Sequence, residues 1–493
     1  MDSYDPLKDE PKIQKQWEKE GIYSYNPKSE KPVFSIDTPP PTVSGQMHLG
    51  HALAYSQTDF IARYQRMKGK NVFYPFGFDD NGLPTERFIE KKLKIRARDM
   101  PRPKFVKLCL KETEETEKEL KQDWSALGIS PDWNLCYRTI DPYVTKLSQR
   151  SFLDLNKKKR VYRKKAPTIW CPTCQTAIAQ VELEDHERPA TFNDIIFKLE
   201  TDDDLIIATT RPELLSSCVA IFYHPTDERY KSLKGKKATV PLFNYNVEIM
   251  EDERVDPEKG TGIVMCCTFG DQTDMEWYFA YNLELKESIS KDGKMTKLAQ
   301  KYQGLTIQEA KKAITNDLKQ ANLLTNQKPI SQTVNVHERC QTPIEILSSK
   351  QWFIKYLDLK QDFLDAGDKL NWYPKHMQVR YNNWIKGLQW DWLISRQRFF
   401  GIPFPVWYCN KCQEPLFAQD NQLPVDPTTT QPKQTCPCGS KEFTPEQDIL
   451  DTWATSSLTP QIATKWTEDE DFFKKMFPMS LRPNGHDIIT FWL

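Results

Sequence analysis

His48 and His51 lie three residues apart, bracketing Leu49 and Gly50 just after a polar turn that contains Gly45. On a helix this spacing puts both imidazoles on one face of the first turn. The free N–H groups and dipole of such a turn favour anions, and two imidazoles beside them suit a triphosphate that gains charge as it reacts. Gly50 removes a side chain where a flat base could approach the backbone. Two histidines near a helix start are ordinarily surface polarity, but context reverses that reading. A β-run at 33–37 ends in Pro39, Pro40 and Pro41, which cannot continue a ladder. The turn follows, a helical pattern opens at His48, and a second β-run covers 71–75. Strand, turn, helix and strand make a βαβ unit, the building block of a nucleotide-binding α/β domain.

A second chemistry is carried by thiols. The chain has 12 cysteines, and eight positions fall into paired motifs: Cys171-Pro-Thr-Cys174, His337-Glu-Arg-Cys340, Cys409-Asn-Lys-Cys412 and Cys436-Pro-Cys438. Two thiolates two residues apart can grip one ion, so each motif is half of a tetrahedral zinc site. Cys171, Cys174, His337 and Cys340 would form a Cys₃His site pinning the two ends of everything between them. Cys409, Cys412, Cys436 and Cys438 are close to a zinc ribbon, and four thiolates leave no open coordination position, which makes the site structural. A thioredoxin-like redox role is the weaker reading of CxxC, since no thioredoxin-like context surrounds it.

The elements that must position these groups follow from length and pattern. With 493 residues the chain is expected to form two to four domains. Lys+Arg and Asp+Glu both number 68, so any polyanion must be met by local basic patches such as 157–165 and 91–98. Such runs are more often solvated faces. No apolar run is long enough to span a bilayer, and the N-terminus MDSYDPLKDE is acidic, unlike a signal peptide. Together with the cysteine usage, this reads as a soluble cytoplasmic protein with no membrane partner. Apolar periodicity predicts helices over 11–20, 99–127, 142–158, 307–321 and 352–364. Short β-runs at 194–199, 204–209, 219–223, 238–240, 247–250 and 262–266 give the segment 190–328 an α+β or barrel-like texture.

At His48–His51 the sequence HLGH resembles the His-Ile-Gly-His signature of the class I aminoacyl-tRNA synthetases. PPPTVSG and FDDNGLPTE look like the branch that handles valine, isoleucine and leucine, and PPPxVxG is most like the valine-specific members. Ser-Arg-Gln-Arg at 395–398, Asp451-Thr-Trp and Gly485-His-Asp487 extend the resemblance over nearly the whole chain. It implies an α/β fold: a split Rossmann-like catalytic domain with an inserted α+β/β-barrel editing domain and zinc knuckles. The implied division is 1–165 (first catalytic half), 166–189 (zinc-knuckle stem), 190–329 (editing insertion), 330–408 (return stem and catalytic segment), 409–445 (zinc ribbon) and 446–493 (second catalytic half). By resemblance, His48 and His51 are catalytic, and ATP meets Gly45, His48, Gly50, His51, Gly485 and Asp487, with Asp487 on the ribose. Pro41, Trp453, Ile488 and Trp492 would wall the amino-acid pocket, and Asp79 would bind the substrate ammonium.

Threonine and aspartate motifs at TTRPE (209–213), GTG (260–262) and TFGDQTD (268–274) resemble the branch's editing domain. A valine-sized pocket in this enzyme family rejects isosteric threonine only ~10²-fold, so a second, hydrolytic site is needed. The resemblance implies that Asp274 holds the aminoacyl ammonium, Asp271 orients it or water, and Thr209, Thr210 and Arg211 position the terminal adenosine and ester. Many bacterial members have Thr-x-x-His-Asp where this chain has Thr268-Phe-Gly-Asp271, and the family more often has Cys at His337. Lys294-Met-Thr-Lys297 mimics the family's second signature but lies inside the insertion, where it reads as structural. The implied activity is ATP- and Mg²⁺-dependent activation of valine and transfer to tRNA(Val) by a monomer, with structural Zn²⁺. Lacking a Lys-Met-Ser-Lys-Ser loop and an anticodon-reading domain, these residues alone are expected to activate valine poorly. The competing readings are an editing or RNA-binding module without ligase activity and an isoleucine-specific ligase.

Overall fold

Val33, Phe34, Ser35 and Ile36 form an unbroken β-prone run that the prolines at 39–41 stop. A computed structural model of the chain describes residues 4–493. In it the strand Val33–Ser35 pairs in parallel with Asn71–Phe73, in the register Val33↔Asn71 to Ser35↔Phe73. On its other side Ile36 bridges Leu481 in parallel; Asp37 N–H donates to the Leu481 carbonyl at 3.0 Å, and Leu481 N–H to that of Ser35 at 3.0 Å. The run 33–37 is thus an inner strand between partners far away in sequence. Parallel sheets are covered on both faces, and Ile36, Ala62, Val72 and Tyr74 are buried together accordingly. Helix Leu49–Met67 is the crossover between the two N-terminal strands. A second parallel pair, Gly77–Phe78 with Tyr137–Arg138, and a parallel bridge between Thr42 and Asp79 carry the same direction further along the chain.

The chain divides into two units, Met1–Tyr162 with Trp352–Leu493, and Arg163–Gln351. In the first, helix Pro142–Lys157 contributes Phe152 and Leu153 to a core with Trp352, Ile394, Phe404 and Trp407. Residues 352–364 do not form the helix expected from their periodicity. Trp352 lies within the strand Glu345–Ile354, a 3-10 turn covers Leu357–Leu359, and α-helix starts at Lys360. The reason is tertiary: the indole of Trp352 is fully enclosed and donates to Glu446 at 3.0 Å, a partner unrelated to local period. The Ser395–Arg398 segment is anchored to helix Leu83–Leu93 by Glu86, which accepts the N–H groups of Phe399 and Phe400 at 3.0 Å each and pairs with Arg398. Strands Val406–Cys409, Pro415–Phe417 and Phe443–Pro445 form a small antiparallel sheet bearing the C-terminal cysteines.

The second unit is built on one mixed, seven-stranded sheet. Its longest pair is Leu183–Leu199 against Leu324–His337, antiparallel from Leu183↔His337 to Ile195↔Leu324. The β-run expected at 194–199 is only the end of that 17-residue strand. Its first half, Glu184–Arg188, is polar and largely exposed, so no apolar alternation marks it. Met295 of the Lys-Met-Thr-Lys segment is buried in this unit, bridging Ile289. Among the described residues no helix is long and apolar enough to cross a membrane.

Asp37 and Arg482 clamp the inner strand to the 481 segment through an ion pair at 3.0 Å, with Thr459 donating to the same carboxylate at 2.9 Å. Burial pushes the Asp37 carboxyl up to about 6 despite the guanidinium. Arg482→Met removes one partner and leaves a buried carboxylate, a loss of about 3–5 kcal/mol. A carboxyl whose folded pKa is raised loses stability as pH rises through that pKa. The variant is therefore expected to be destabilised strongly at pH 7.5 and less at pH 5.5, as read by urea unfolding at the two pH values. An equal loss at both would count against the clamp.

Candidate active site and metal centres

His48 is the N-cap of helix Leu49–Met67, with extended backbone (φ −119°, ψ 167°), and its Nδ1 accepts the N–H of His51 at 3.2 Å. The two imidazoles stack with centroids 3.7 Å apart and planes 17° from parallel. A Cβ at Gly50 would lie 3.1 Å from His48 Nδ1 and Cε1, tighter than ordinary contact. A side chain at Gly50 would thus crowd the ring that caps the helix, in addition to any ligand. His51 is half-buried, and that burial, with the neighbouring His48, lowers its pKa. A neutral His51 meets an oxyanion as a hydrogen-bond donor. Gly45, His48 and Gly50 are exposed.

Gly485–Asp487 follows the 481 segment as HLGH follows strand Val33–Ser35. Both motifs therefore lie beyond the carboxyl ends of neighbouring parallel segments, where open α/β sheets bind ligands. A Cβ at Gly485 would fall 2.5 Å from Asp487 Oδ1, so the glycine lets that carboxylate fold back on its own turn. Asp79 is 5% exposed. Its N–H donates to the Pro41 carbonyl at 2.9 Å and its carbonyl accepts from Val43 at 3.1 Å, which joins the PPPTV and FDDN segments. Its carboxylate accepts the hydroxyls of Thr139 and Ser456, each at 2.8 Å.

Of the four expected pocket walls, Trp453 stacks on Phe491 (4.6 Å, 29°), a residue that sequence reasoning passed over. Trp492 is fully buried beneath the guanidinium of Arg482, 3.9 Å from its ring centre. Its neighbour Phe491 is the one that faces Trp453. Pro41 is buried and Ile488 half-buried.

In the second unit Thr209 Oγ1 accepts the N–H of Arg211 at 3.0 Å, and Thr210 is half-buried beside it. The Arg211 guanidinium is held by Glu213 at 3.0 Å and by both oxygens of Glu345 at 3.0 and 2.8 Å. Glu345 had no motif to mark it. Asp271 caps helix Gln272–Tyr281, accepting the N–H of Asp274 at 3.0 Å. The Asp274 carboxylate turns back on the preceding loop and accepts the N–H groups of Cys267 (3.2 Å), Gly270 (2.9 Å) and Asp271 (3.2 Å). Burial and the like charge of Asp271 push it up to about 8 against those three donors.

Both expected sets of metal ligands are assembled. In Cys171, Cys174, His337 and Cys340, and again in Cys409, Cys412, Cys436 and Cys438, the ligand atoms lie within 4.8 Å of one another. Nearest contacts are 3.4 Å for Cys171–Cys340 and 3.5 Å for Cys409–Cys438 and Cys412–Cys436. All 12 cysteines are unbridged. Sulfurs at this separation are far beyond a disulfide at about 2.05 Å and close to the edge of a tetrahedron with metal–sulfur bonds of about 2.3 Å. Either set could hold a thiophilic divalent ion.

A family model describing class I tRNA synthetases (I, L, M and V) matches residues 12–493. The valine–tRNA ligase of Thermoplasma acidophilum is 51% identical over 477 residues, covering 97% of this chain and 60% of that protein. Those of Rickettsia conorii and Haloarcula marismortui are each 48% identical over 99% of this chain and over 61% and 56% of their own lengths. The chain thus spans about 60% of the length of the curated relatives it matches. A leucyl-tRNA synthetase of Agrobacterium radiobacter K84, solved in a ternary complex with tRNA and LeuAMS, aligns with a TM-score of 0.52 at 19% identity. That alignment covers 99% of this chain and 64% of the other and bears on the fold.

The two ligand sets predict two tightly bound zinc ions per chain by elemental analysis. Cys409→Ser with Cys412→Ser lowers the count to one, and Cys171→Ser with Cys174→Ser does so independently. A metal-free chain with an unchanged unfolding midpoint would remove the metal reading of both.

Proposed function

The chain belongs to the class I tRNA synthetases, and from that membership we propose that it acts in ATP-dependent ligation of valine to tRNA(Val). The observation that supports this most directly is the pairing of 33–37 with 481. It makes 33–37 and the 481 segment parallel neighbours, so a nucleotide spanning the loops that follow them would meet both HLGH and Gly485–Asp487. In the first step a valine carboxylate oxygen attacks the α-phosphorus of ATP, valyl-adenylate forms and pyrophosphate leaves. His48 and His51 donate to the phosphate oxygens on which charge builds, and Asp487 accepts from the ribose. In the second step a terminal hydroxyl of the tRNA attacks the acyl carbon and AMP leaves. No side-chain nucleophile is needed, because orientation and charge stabilisation dominate. Mg²⁺ would arrive on the triphosphate and neutralise part of its charge. Asp79 accepts the substrate ammonium, and Trp453, Phe491 and Pro41 contact the branched side chain.

The Arg163–Gln351 unit carries the hydrolytic editing of mischarged threonyl-tRNA in this reading. Asp274 holds the aminoacyl ammonium, and Thr209 and Thr210 meet the terminal adenosine. Arg211, committed to Glu213 and Glu345, fixes the shape of that loop while its own chain bends around Thr209. The thiolate sets hold structural zinc, with Cys171, Cys174, His337 and Cys340 closing the base of the long ribbon. The division into catalytic halves, knuckle stem, editing insertion and ribbon follows from these assignments, and the cytoplasm is the compartment where they operate.

Valyl-sulfamoyl-adenosine is expected to raise the unfolding midpoint of this chain by several degrees and the isoleucyl compound by much less, because one methylene alters pocket occupancy by ~1–3 kcal/mol. Stabilisation by the isoleucyl compound alone would transfer the assignment to isoleucine, and none by either would favour an editing or RNA-binding module. For editing, hydrolysis of threonyl-tRNA(Val) should rise with pH about a midpoint near 8, where Asp274 ionises. Asp271→Asn removes the like charge yet keeps a good helix cap, so the midpoint should move to lower pH. A midpoint that stays put or rises would exclude Asp274 as the ammonium acceptor.

A further inference from the structure

Asp79 is fixed by two hydroxyls, on residues given no role of their own above. Thr139 follows strand Tyr137–Arg138, the parallel neighbour of the strand Gly77–Phe78 that Asp79 follows. Ser456 ends the short helix Trp453–Ser456. Thr139 is fully buried and Ser456 is 1% exposed. The proton of each hydroxyl is assigned by its surroundings. Thr139 Oγ1 accepts the N–H of Asp80 at 3.1 Å, which turns its own proton to Asp79 Oδ1 at 2.8 Å, a shorter contact than the 3.3 Å to Asp80 Oδ1. Ser456 Oγ lies 2.8 Å from Asp79 Oδ2 and 3.1 Å from the Thr452 carbonyl, and the charged acceptor is the stronger of the two.

We propose that Ser456 and Thr139 are positioning residues for the amino-acid substrate: they hold the plane of the Asp79 carboxylate, so that it meets the substrate's α-ammonium. One hydroxyl on each oxygen stops the carboxylate from rotating about its χ2 axis. A fixed plane directs a nearly buried carboxylate at one position for the cation. Ser456 also lies on the same helical turn as Trp453, whose indole stacks on Phe491. A single four-residue helix thereby sets the group that faces the substrate side chain and one that orients the group facing its ammonium. Recognition of the two ends of the amino acid is mechanically coupled.

The inference rests on the reading of Asp79 as the ammonium acceptor, so the test uses a pair of ligands that differ only there. Valyl-sulfamoyl-adenosine carries the ammonium, and 3-methylbutanoyl-sulfamoyl-adenosine lacks it. Calorimetric titration of this chain should show Ser456→Ala weakening the first ligand about tenfold, the scale of one charge-assisted hydrogen bond, and leaving the second within about twofold. Thr139→Val, of nearly equal volume, should do the same, and Thr139→Ser should restore the original affinity for both. Equal weakening of both ligands by Ser456→Ala and Thr139→Val would show mere structural damage and overturn the proposal, as would no weakening of either. Should Ser456→Ala unfold, the Thr139→Val and Thr139→Ser pair decides alone. Asp79→Asn separates the underlying reading: if it leaves the preference for the ammonium-bearing ligand intact, Asp79 is not the acceptor, whatever the hydroxyl variants do.

Discussion

The first unit depends on a pairing between chain segments more than four hundred positions apart. The run 33–37 hydrogen-bonds to Asn71–Phe73 on one edge and to the 481 segment on the other, and the second edge is reinforced by Asp37 and Arg482. A backbone bridge alone would leave the 481 segment as a short edge strand. The buried ion pair supplies orientation, since a carboxylate 1% exposed accepts a cation only where the guanidinium can also satisfy its other donors. Arg482 does this through the carbonyls of Ser457 and Leu493, each at 3.3 Å, and by lying flat on Trp492. One side chain thus fixes the strand, the helix carrying Trp453 and the C-terminal turn together. The segments that lead into HLGH and Gly485–Asp487 start from that arrangement.

The same logic separates what pattern could reveal from what it could not. HLGH, the cysteine pairs and the strand before the prolines are local statements: spacing on one turn, thiols two apart, β-prone residues ended by a breaker. They were legible because the physics that forms them acts over a few residues. The ribbon base at Glu184–Arg188 was not, because a strand exposed on both faces has no apolar alternation to display. Trp352 was misread for the opposite reason. Its enclosure and its bond to Glu446 come from elements distant in sequence, and burial on all sides looks alike in a helix and a strand. Glu345, Phe491, Thr139 and Ser456 belong to a third kind: ordinary residue types whose significance is set wholly by which motif residue they touch.

Gly50 shows how a motif residue can carry a different cause from the one its type suggests. A glycine beside a nucleotide site invites the explanation of close approach by a base. Here a Cβ at that position would already crowd the ring of His48 at 3.1 Å, before any ligand arrives. Since the same ring caps the helix and stacks on His51, the glycine favours the imidazole pair as it stands. In the proposed reaction that pair would meet the phosphate already arranged in the free protein, the preorganisation that electrostatic stabilisation of a charged transition state requires.

The two carboxylates assigned to an ammonium group, Asp79 and Asp274, are held in physically opposite ways. Asp79 receives two side-chain hydroxyls, one on each carboxylate oxygen, from segments distant in sequence. Asp274 receives three backbone N–H groups, donors fixed by the loop 267–271, and stands next to a second carboxylate that raises its pKa. A synthetic site must accept its amino acid whenever the adenylate is being made, and a carboxylate held in one plane would suit the role proposed for Asp79. A hydrolytic site gains from reluctance, because an acceptor that is only partly ionised near neutral pH binds weakly any ester that does not also satisfy the rest of the site. In that reading the loop donors around Asp274, and Arg211 held by Glu345 beside Thr209, would make the second condition strict. In the proposed editing reaction, selectivity against the correctly charged product would then reside in the fit of the whole loop, with the ammonium contact contributing only what its protonation state allows.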